Sequence, residues 1–355
     1  MRPAKCRVPI GVLFVMALVC ALATLPPATA LSSDALAEDD CRSLFGNLHL
    51  PVYVYRPAGA DPRAIIVALH GGCLHGGSFA TLGRRLAELG YCLVSLDMRG
   101  YGRWLHQAFG TRKDRQFSYK QSRKDIEAVI ECLRTSYPDA PVYCLGESLG
   151  ANMAMKLAGG SPGLADGVVL VSPFGGPRLF VYPQMLAHLL QVTICPLGKL
   201  DMSCYLKRRL SHNREWAREQ LEDPLGRNKQ SILDLLVSLR SNVAGILHAR
   251  RIPANTPVLV LQGQKDRLCS PKASMRLYER MPSARKRFEL LPDHGHLIVE
   301  TSYLQPQVIA LLDGWFREQE TWMRAQANTP FRMADRSDTK NRGRQHRKSA
   351  LSASL

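Results

Sequence analysis

"PVYCLGESLGAN", residues 141–152, decides how this chain is read. Its first half is a short apolar run that suits a buried strand, and the following "LGANMAMKLAG" has the composition of a helix. Between them Gly146 and Gly150 bracket Ser148. Two glycines allow a sharp strand-to-helix turn without a clashing Cβ, so the turn would lift the Ser148 hydroxyl into the open at a helix N-terminus. Unpaired backbone N–H groups there favour a developing oxyanion. A serine that only caps a helix would also satisfy this pattern, so partners must be sought elsewhere in the chain.

Working outward, apolar runs recur: "AIIVALHGG", "YCLVSLDMRG", "PVYCLGES", "GVVLVSPF", "PVLVLQGQKD" and "KRFELLPDHGH". Each is rich in Val, Ile and Leu and lacks polar alternation, the pattern of strands buried on both faces of a parallel sheet. Helical stretches separate them. "SFATLGRRLAELG" starts at a candidate Ser78 cap and stops at Gly90, and "QSRKDIEAVIECLRTSYP" spaces Ile126, Val129, Ile130 and Leu133 along one face. "LHLPVYVYRPAG" alternates and predicts an antiparallel edge strand. The alternation predicts an α/β fold with a doubly wound, mostly parallel sheet. From about residue 175 to 251 the rhythm breaks into an insertion with its own apolar helical patterns.

In such a sheet, ligands gather at the carboxyl ends of the strands. A nucleophilic serine needs a base and an orienting acid, because a free hydroxyl is barely ionised at neutral pH. "LVLQGQKDRLCSP" supplies Asp266 just past a later strand, and "ELLPDHGHLIVE" supplies a histidine past the last one. Ser148, Asp266 and His296 thus stand in the order serine, acid, histidine. His294 competes for the base; His296 is preferred because it opens the pattern "HLIVETSYLQPQVIALLDGWF", a helix that would anchor its backbone. Asp293 reads as a turn residue. The expected oxyanion donors are the N–H groups of Leu149 and of Gly72, where glycine lets the backbone approach closely. His70 reads as a framework residue of that loop. Cys73 and His75 lie near the mouth, but no ligand cluster there is tight enough to suggest a metal.

These segments together resemble the α/β-hydrolase family, and within it the monoacylglycerol lipase and lysophospholipase branch, catalogued with serine aminopeptidases of type S33. The resemblance spans about residues 50–318. It rests on "LHGG", on "ELGYCLVSLDMRGYG" with its D-x-R-G-x-G, on "GESLGAN", "GQKDRLCSP" and "GHLIVE", and on "LSHNREWAREQLEDPL" in the insertion. It implies triad roles for Ser148, Asp266 and His296, oxyanion donors at Gly72 and Leu149, no cofactor, and a helical lid inserted after the sixth strand. Apolar faces of that lid would line an acyl channel or form the lid's own core. "GRWLH" after Gly102 and Cys269 depart from the branch's usual small and aliphatic residues. The implied activity is cleavage of carboxylic esters, of monoacylglycerol or lysophospholipid kind, through an acyl-serine. The alternatives are an aminopeptidase of the same fold and a non-catalytic surface-binding protein.

The rest of the chain sets its context. Arg2, Lys5 and Arg7 precede "IGVLFVMALVCALA" and then Ala28-Thr29-Ala30, the pattern of a cleaved signal peptide over residues 1–30. An uncleaved anchor is the rival, but the apolar stretch is shorter than the ~20 residues a spanning helix needs. Cleavage removes two of the ten cysteines, export would permit disulfides among the remaining eight, and only Cys195 and Cys204 of these lie close in sequence. Cys92, Cys132 and Cys144 fall in apolar patterns and read as small buried hydrophobes. The net charge is +17, partly concentrated in residues 321–355, which read as a disordered basic tail. A specific nucleic-acid partner is not expected. Peripheral contact with an anionic membrane or polysaccharide, or no partner at all, fits such a tail.

Overall fold

The computed structural model describes residues 45, 48–59, 61–106, 110–176, 198–207, 209 and 214–327. The expected signal peptide, Cys41, Cys195, the side chain of Cys204, residues 177–197 of the insertion and the chain beyond residue 327 lie outside them.

Seven strands form the main sheet: β1 (Val52–Tyr55), β2 (Ile65–Leu69), β3 (Cys92–Leu96), β4 (Val142–Glu147), β5 (Gly167–Val171), β8 (Val258–Gly263) and β9 (Lys286–Leu291). Their order is β1-β3-β2-β4-β5-β8-β9. Only β1 runs antiparallel, against β3 at the edge, as its alternating sequence predicts. The five inner strands are buried along their whole length. Successive residues face opposite layers, which is why these runs carry no polar alternation. On one face Ile65, Val67, Cys144 and Val168 meet Ile126, Val129, Ile130 and Leu133 of the helix Tyr119–Ser136 and Met153 of the helix Leu149–Gly160. On the other, Ile66, Leu145, Val169 and Leu261 meet Leu82 and Leu86 of the helix Ala80–Glu88 and Leu312, Trp315 and Phe316 of the helix Pro306–Ala327. In chain order these four helices are α2, α3, α1 and α7.

Several boundaries differ from the sequence expectation. Helix α1 is entered through a 3-10 turn at Gly76–Phe79, so Ser78 lies inside that turn and not at the cap. Gly90 does end α1, at φ +87°. Helix α7 begins at Pro306, ten residues after His296, so no helix anchors the histidine. Pro306 sets that start, since a proline suits a first helical turn and disfavours helix in the residue before it. The same helix runs to Ala327, past the expected start of the tail.

The insertion follows β5, the fifth strand in chain order among the described residues and not the sixth. Its described part holds a two-stranded sheet, β6 (Lys199–Asp201) with β7 (Lys229–Ser231), a single helical turn at Ser203–Leu206, and the helices α4 (Arg214–Glu222) and α5 (Ile232–Ala249). Helix α6 (Pro271–Glu279) follows β8. Ser231 and Asp234 close a reciprocal capping box that starts α5. The buried residues of α5 are Ser241, Gly245 and Ala249, small side chains that allow close approach to α3. Asn152 of α3 donates from its amide to the carbonyls of Phe174 (3.0 Å) and Asn242 (2.9 Å), fixing both ends of the insertion to one side chain.

Candidate active site

Ser148 sits at φ +56°, ψ −113°, between β4 and α3. Left-handed backbone is costly for a residue with a side chain, so the surroundings must enforce it. They do so through Gly146 and Gly150: a methyl on Gly150 would land on the Leu69 carbonyl oxygen, and one on Gly146 on the backbone of Gly150. The Ser148 N–H donates to the Val171 carbonyl (2.8 Å), continuing the ladder of β5 into the turn. The side chain is left half-buried at the carboxyl end of the sheet, above the start of α3.

Ser148 Oγ lies 3.0 Å from His296 Nε2, and His296 Nδ1 lies 2.9 Å from Asp266 Oδ2. Asp266 also accepts the Gln262 amide (3.0 Å) and the backbone N–H groups of Leu268 (2.7 Å) and Cys269 (2.9 Å). Burial opposes its ionisation, but the neighbouring imidazole and these donors hold its carboxyl below the ordinary aspartate range. Burial likewise opposes protonation of His296, yet the Asp266 carboxylate raises it well above an ordinary histidine. The structure therefore brings Ser148, His296 and Asp266 into one hydrogen-bonded row. His294 stands outside it: the ring is buried, and neither nitrogen has a hydrogen-bond partner among the described residues. Asp293 is exposed and pairs with Lys265 (2.9 Å), as a turn residue would.

Leu149 opens α3, where the first backbone N–H groups lack intrahelical acceptors. On the facing loop the tight position is Gly71 and not Gly72. A methyl on Gly71 would stand 3.2 Å from Glu300 Oε1 and 3.6 Å from Ser148 Cβ, whereas one on Gly72 meets nothing within 4 Å. The Gly71 N–H is committed to Glu300 Oε1 (2.6 Å). His70 is a framework residue: Nδ1–H donates to the Gly71 carbonyl (2.8 Å), Nε2 accepts the Met98 N–H (3.0 Å), and burial depresses its pKa to about 3. Cys73, at φ +70°, fastens the loop to the insertion by accepting the Arg227 N–H at its carbonyl (2.9 Å) and the Gln230 amide at Sγ (3.1 Å). His75 adds a contact to Asp223 at 3.0 Å.

Two carboxyl groups missing from the sequence expectation complete the site. Glu147, beside the serine, accepts the backbone N–H groups of Ile298 (2.6 Å), Val299 (3.3 Å) and Glu300 (2.8 Å). It is this carboxyl, not a helix, that fixes the segment after His296. Glu300 in turn holds Gly71. The available signal was an acidic residue closing each of two wholly apolar runs, "VYCLGE" and "HLIVE". Donor atoms of Asp266, Cys269 and His296 lie within 4.8 Å of one another, a spacing a metal could use. Asp266 and His296 are, however, engaged with each other and with the groups just named. Of the described cysteines outside the insertion, Cys73, Cys132 and Cys144 are free thiols, and burial raises Cys73 and Cys144 to about 12.

A sheet of this order, with a strained serine between β4 and α3, has the α/β-hydrolase fold, and the class of protein is a serine hydrolase. More particularly, the chain belongs to the family described as "Serine aminopeptidase, S33", whose profile matches residues 60–301. It is similar to the monoglyceride lipase of Mus musculus, at 28% identity over 69% of this chain and 78% of that one. It is also similar to the monoacylglycerol lipase of Mycolicibacterium smegmatis, at 24% identity over 76% of this chain and 91% of that one. Among solved structures, that of Paleococcus ferrophilus monoacylglycerol lipase superposes with a TM-score of 0.61 at 23% identity, covering 76% of this chain and 99% of that one.

Proposed function

We propose that this chain is an exported hydrolase of carboxylic esters of a lipid-like alcohol, such as a monoacylglycerol or lysophospholipid, acting through an acyl-Ser148 intermediate. The observation that carries the reading is the row from Ser148 Oγ through His296 to Asp266. In it His296 Nε2 takes the hydroxyl proton as Ser148 Oγ attacks the ester carbonyl carbon, and Asp266 stabilises the imidazolium that results. The N–H groups of Leu149 and Gly72 receive the oxyanion. On collapse the C–O bond breaks, and His296 returns the proton to the departing alcohol. Water, losing a proton to His296, then attacks the acyl carbon; the carboxylic acid leaves and Ser148 regains its hydrogen.

Relatives described as monoglyceride or monoacylglycerol lipases support the substrate class. So does the apolar cluster of Cys73, Leu74, Leu206 and Leu297, which joins the oxyanion-side loop, the insertion and the residue after His296. An aminopeptidase needs a carboxylate to grip a free amine. The carboxyls of Glu147, Asp266 and Glu300, beside the serine, are instead committed to backbone N–H groups, Ser78, Gln262 and His296. Export rests on the pattern of residues 1–30 and is checked by the N-terminus of the secreted protein.

The test compares turnover of p-nitrophenyl butyrate, a monoacylglycerol and an aminoacyl anilide. Ester turnover, with fluorophosphonate labelling that disappears in Ser148→Ala, is expected. Undiminished ester hydrolysis in that variant removes the nucleophile assignment, and preferential anilide cleavage removes the substrate class.

A further inference from the structure

The catalytic reading leaves two buried carboxyl groups without a role in the chemistry, and their hydrogen bonds do not balance if both are ionised. Ser78 Oγ stands 2.6 Å from the His75 carbonyl oxygen and 2.7 Å from Glu300 Oε2. A hydroxyl has one proton, and a carbonyl can only accept. If that proton goes to His75, the contact with Glu300 has a donor only when Glu300 itself carries a hydrogen. We propose that Glu300 is a neutral carboxylic acid whose Oε2–H donates to Ser78 Oγ, and that with the Glu147 carboxylate it forms a proton-sharing latch positioning the Gly71–Gly72 loop and the His296 segment around Ser148.

The two partners are fitted for different protonation states. Glu147 accepts three backbone N–H groups in the segment after His296, a cradle that favours the charged form. Glu300 receives one N–H, from Gly71, and spends its second oxygen on a hydroxyl that can act as acceptor. Both groups are fully buried, where two adjacent negative charges would be costly. Burial and then the charge of Glu147 raise Glu300 well above an ordinary glutamate, while burial raises Glu147 to about 7 despite its three donors. The charged or titratable groups facing the pair are each other and His296; Gly71 and Ser78 provide neutral contacts.

The consequence reaches the reaction through geometry. Glu300 fixes the residue preceding Gly72, and Glu147 fixes the residues following His296. Loss of the shared proton at alkaline pH leaves two buried carboxylates, reverses the Glu300–Ser78 contact and loosens both loops. A displacement of about 1 Å at such a site can cost about 10²-fold in rate. The role is one of positioning, since neither carboxyl touches the row itself among the described contacts.

This inference rests on the ester-hydrolase reading only for its kinetic readout. Glu300→Ala should lower kcat/KM for p-nitrophenyl butyrate by about 10²-fold, chiefly in kcat. Glu300→Gln, whose amide can both accept from Gly71 and donate to Ser78, should restore most of that loss and remove the alkaline decline. Glu147→Gln should remain impaired, because an amide nitrogen cannot accept the N–H groups a carboxylate takes. In wild-type protein, infrared difference spectra should show the carbonyl stretch of a buried protonated carboxyl at pH 7, absent in Glu300→Gln. A Glu300→Gln variant as slow as Glu300→Ala, or no such band assignable to Glu300, overturns the latch. Wild-type protein that shows the band but hydrolyses no ester would instead overturn the proposed function and leave the latch standing.

Discussion

The sheet-end site and the helix α5 are both built from apolar sequence, yet they use it in opposite ways. Around Ser148 the apolar runs are buried to their last residue, and the polar groups at the strand ends are hydrogen-bonded to one another. In α5 the small residues Ser241, Gly245 and Ala249 face inward. Leu233, Leu236, Val243 and Leu247 point the other way, 42–62% exposed. The helix has the length and hydropathy of a membrane-crossing segment, with a mean hydropathy of 1.3, and only 17% of it is buried. Burial along α5 therefore follows the closeness of backbone approach, not side-chain hydropathy. Among the described residues, these large apolar side chains of α5 are left substantially exposed.

The sharpest separation of the two regions comes from Asp266→Asn. At the site, it keeps the shape but reverses the hydrogen-bonding preference of His296 Nδ1, and kcat should fall by about 10⁴-fold. The pH dependence should also change. Attack needs a neutral imidazole, so wild-type activity should be lost as pH falls through the raised His296 value. Without the carboxylate, burial dominates and this acid limb should move to lower pH. Stability runs in a matching window. The raised histidine stabilises the fold fully below its ordinary value near 6.5 and loses that contribution as pH rises through its folded value. The lowered Asp266 stabilises the fold above the ordinary aspartate value and loses that contribution on acidification. The melting-temperature gap between wild type and Asp266→Asn should thus be widest in mildly acid solution and narrow toward alkaline pH; a gap that widens with rising pH would contradict the pairing.

Two glycines place the regions on one scale. At Gly150 the obstacle to a methyl group is the carbonyl of β2, part of a sheet fixed on both sides. Gly150→Ala should cost about 4 kcal/mol or more, or prevent folding, as read by urea denaturation. At Gly245 a methyl would meet the Asn152 carbonyl oxygen at 2.5 Å, but here one helix can shift against another. Alanine also gains about 1 kcal/mol of helix propensity over glycine. Gly245→Ala should therefore cost a smaller amount, about 1–2 kcal/mol. Equal costs at the two positions would mean that α5 is held as rigidly as the sheet.

This contrast also explains what the sequence could disclose. Strands β2, β3, β4, β5 and β8 were legible because burial on both faces leaves an unbroken apolar signature; Ser148 and Asp266 followed from the ends of two of those runs, and His296 from the end of β9, an edge strand that is only partly buried. Glu147 and Glu300 were hidden, since their meaning lies in backbone donors more than 150 residues away. The start of α7 was misplaced for a related reason: "HLIVE" is as apolar as a helix face, but its N–H groups are taken by Glu147. The inward face of α5 was unreadable, because hydropathy points to the leucines, whereas the contact is made by the small residues.

The smallest expected effect tests that last point. Leu236 is 54% exposed and Leu247 58% exposed, so each already leaves much of its apolar surface in water in the folded protein. Replacing either by glutamine gives up only the buried remainder and changes helix propensity little, so stability should move by no more than about 0.5 kcal/mol. The double variant should behave as the sum, because the residues lie three turns apart on one face. Denaturant midpoints within that margin, with an unchanged m-value, would support a leucine face that contributes nothing to the fold. A loss of about 2 kcal/mol or more would mean that this face is covered in solution, and α5 would then be packed on both sides like the inner strands of the main sheet.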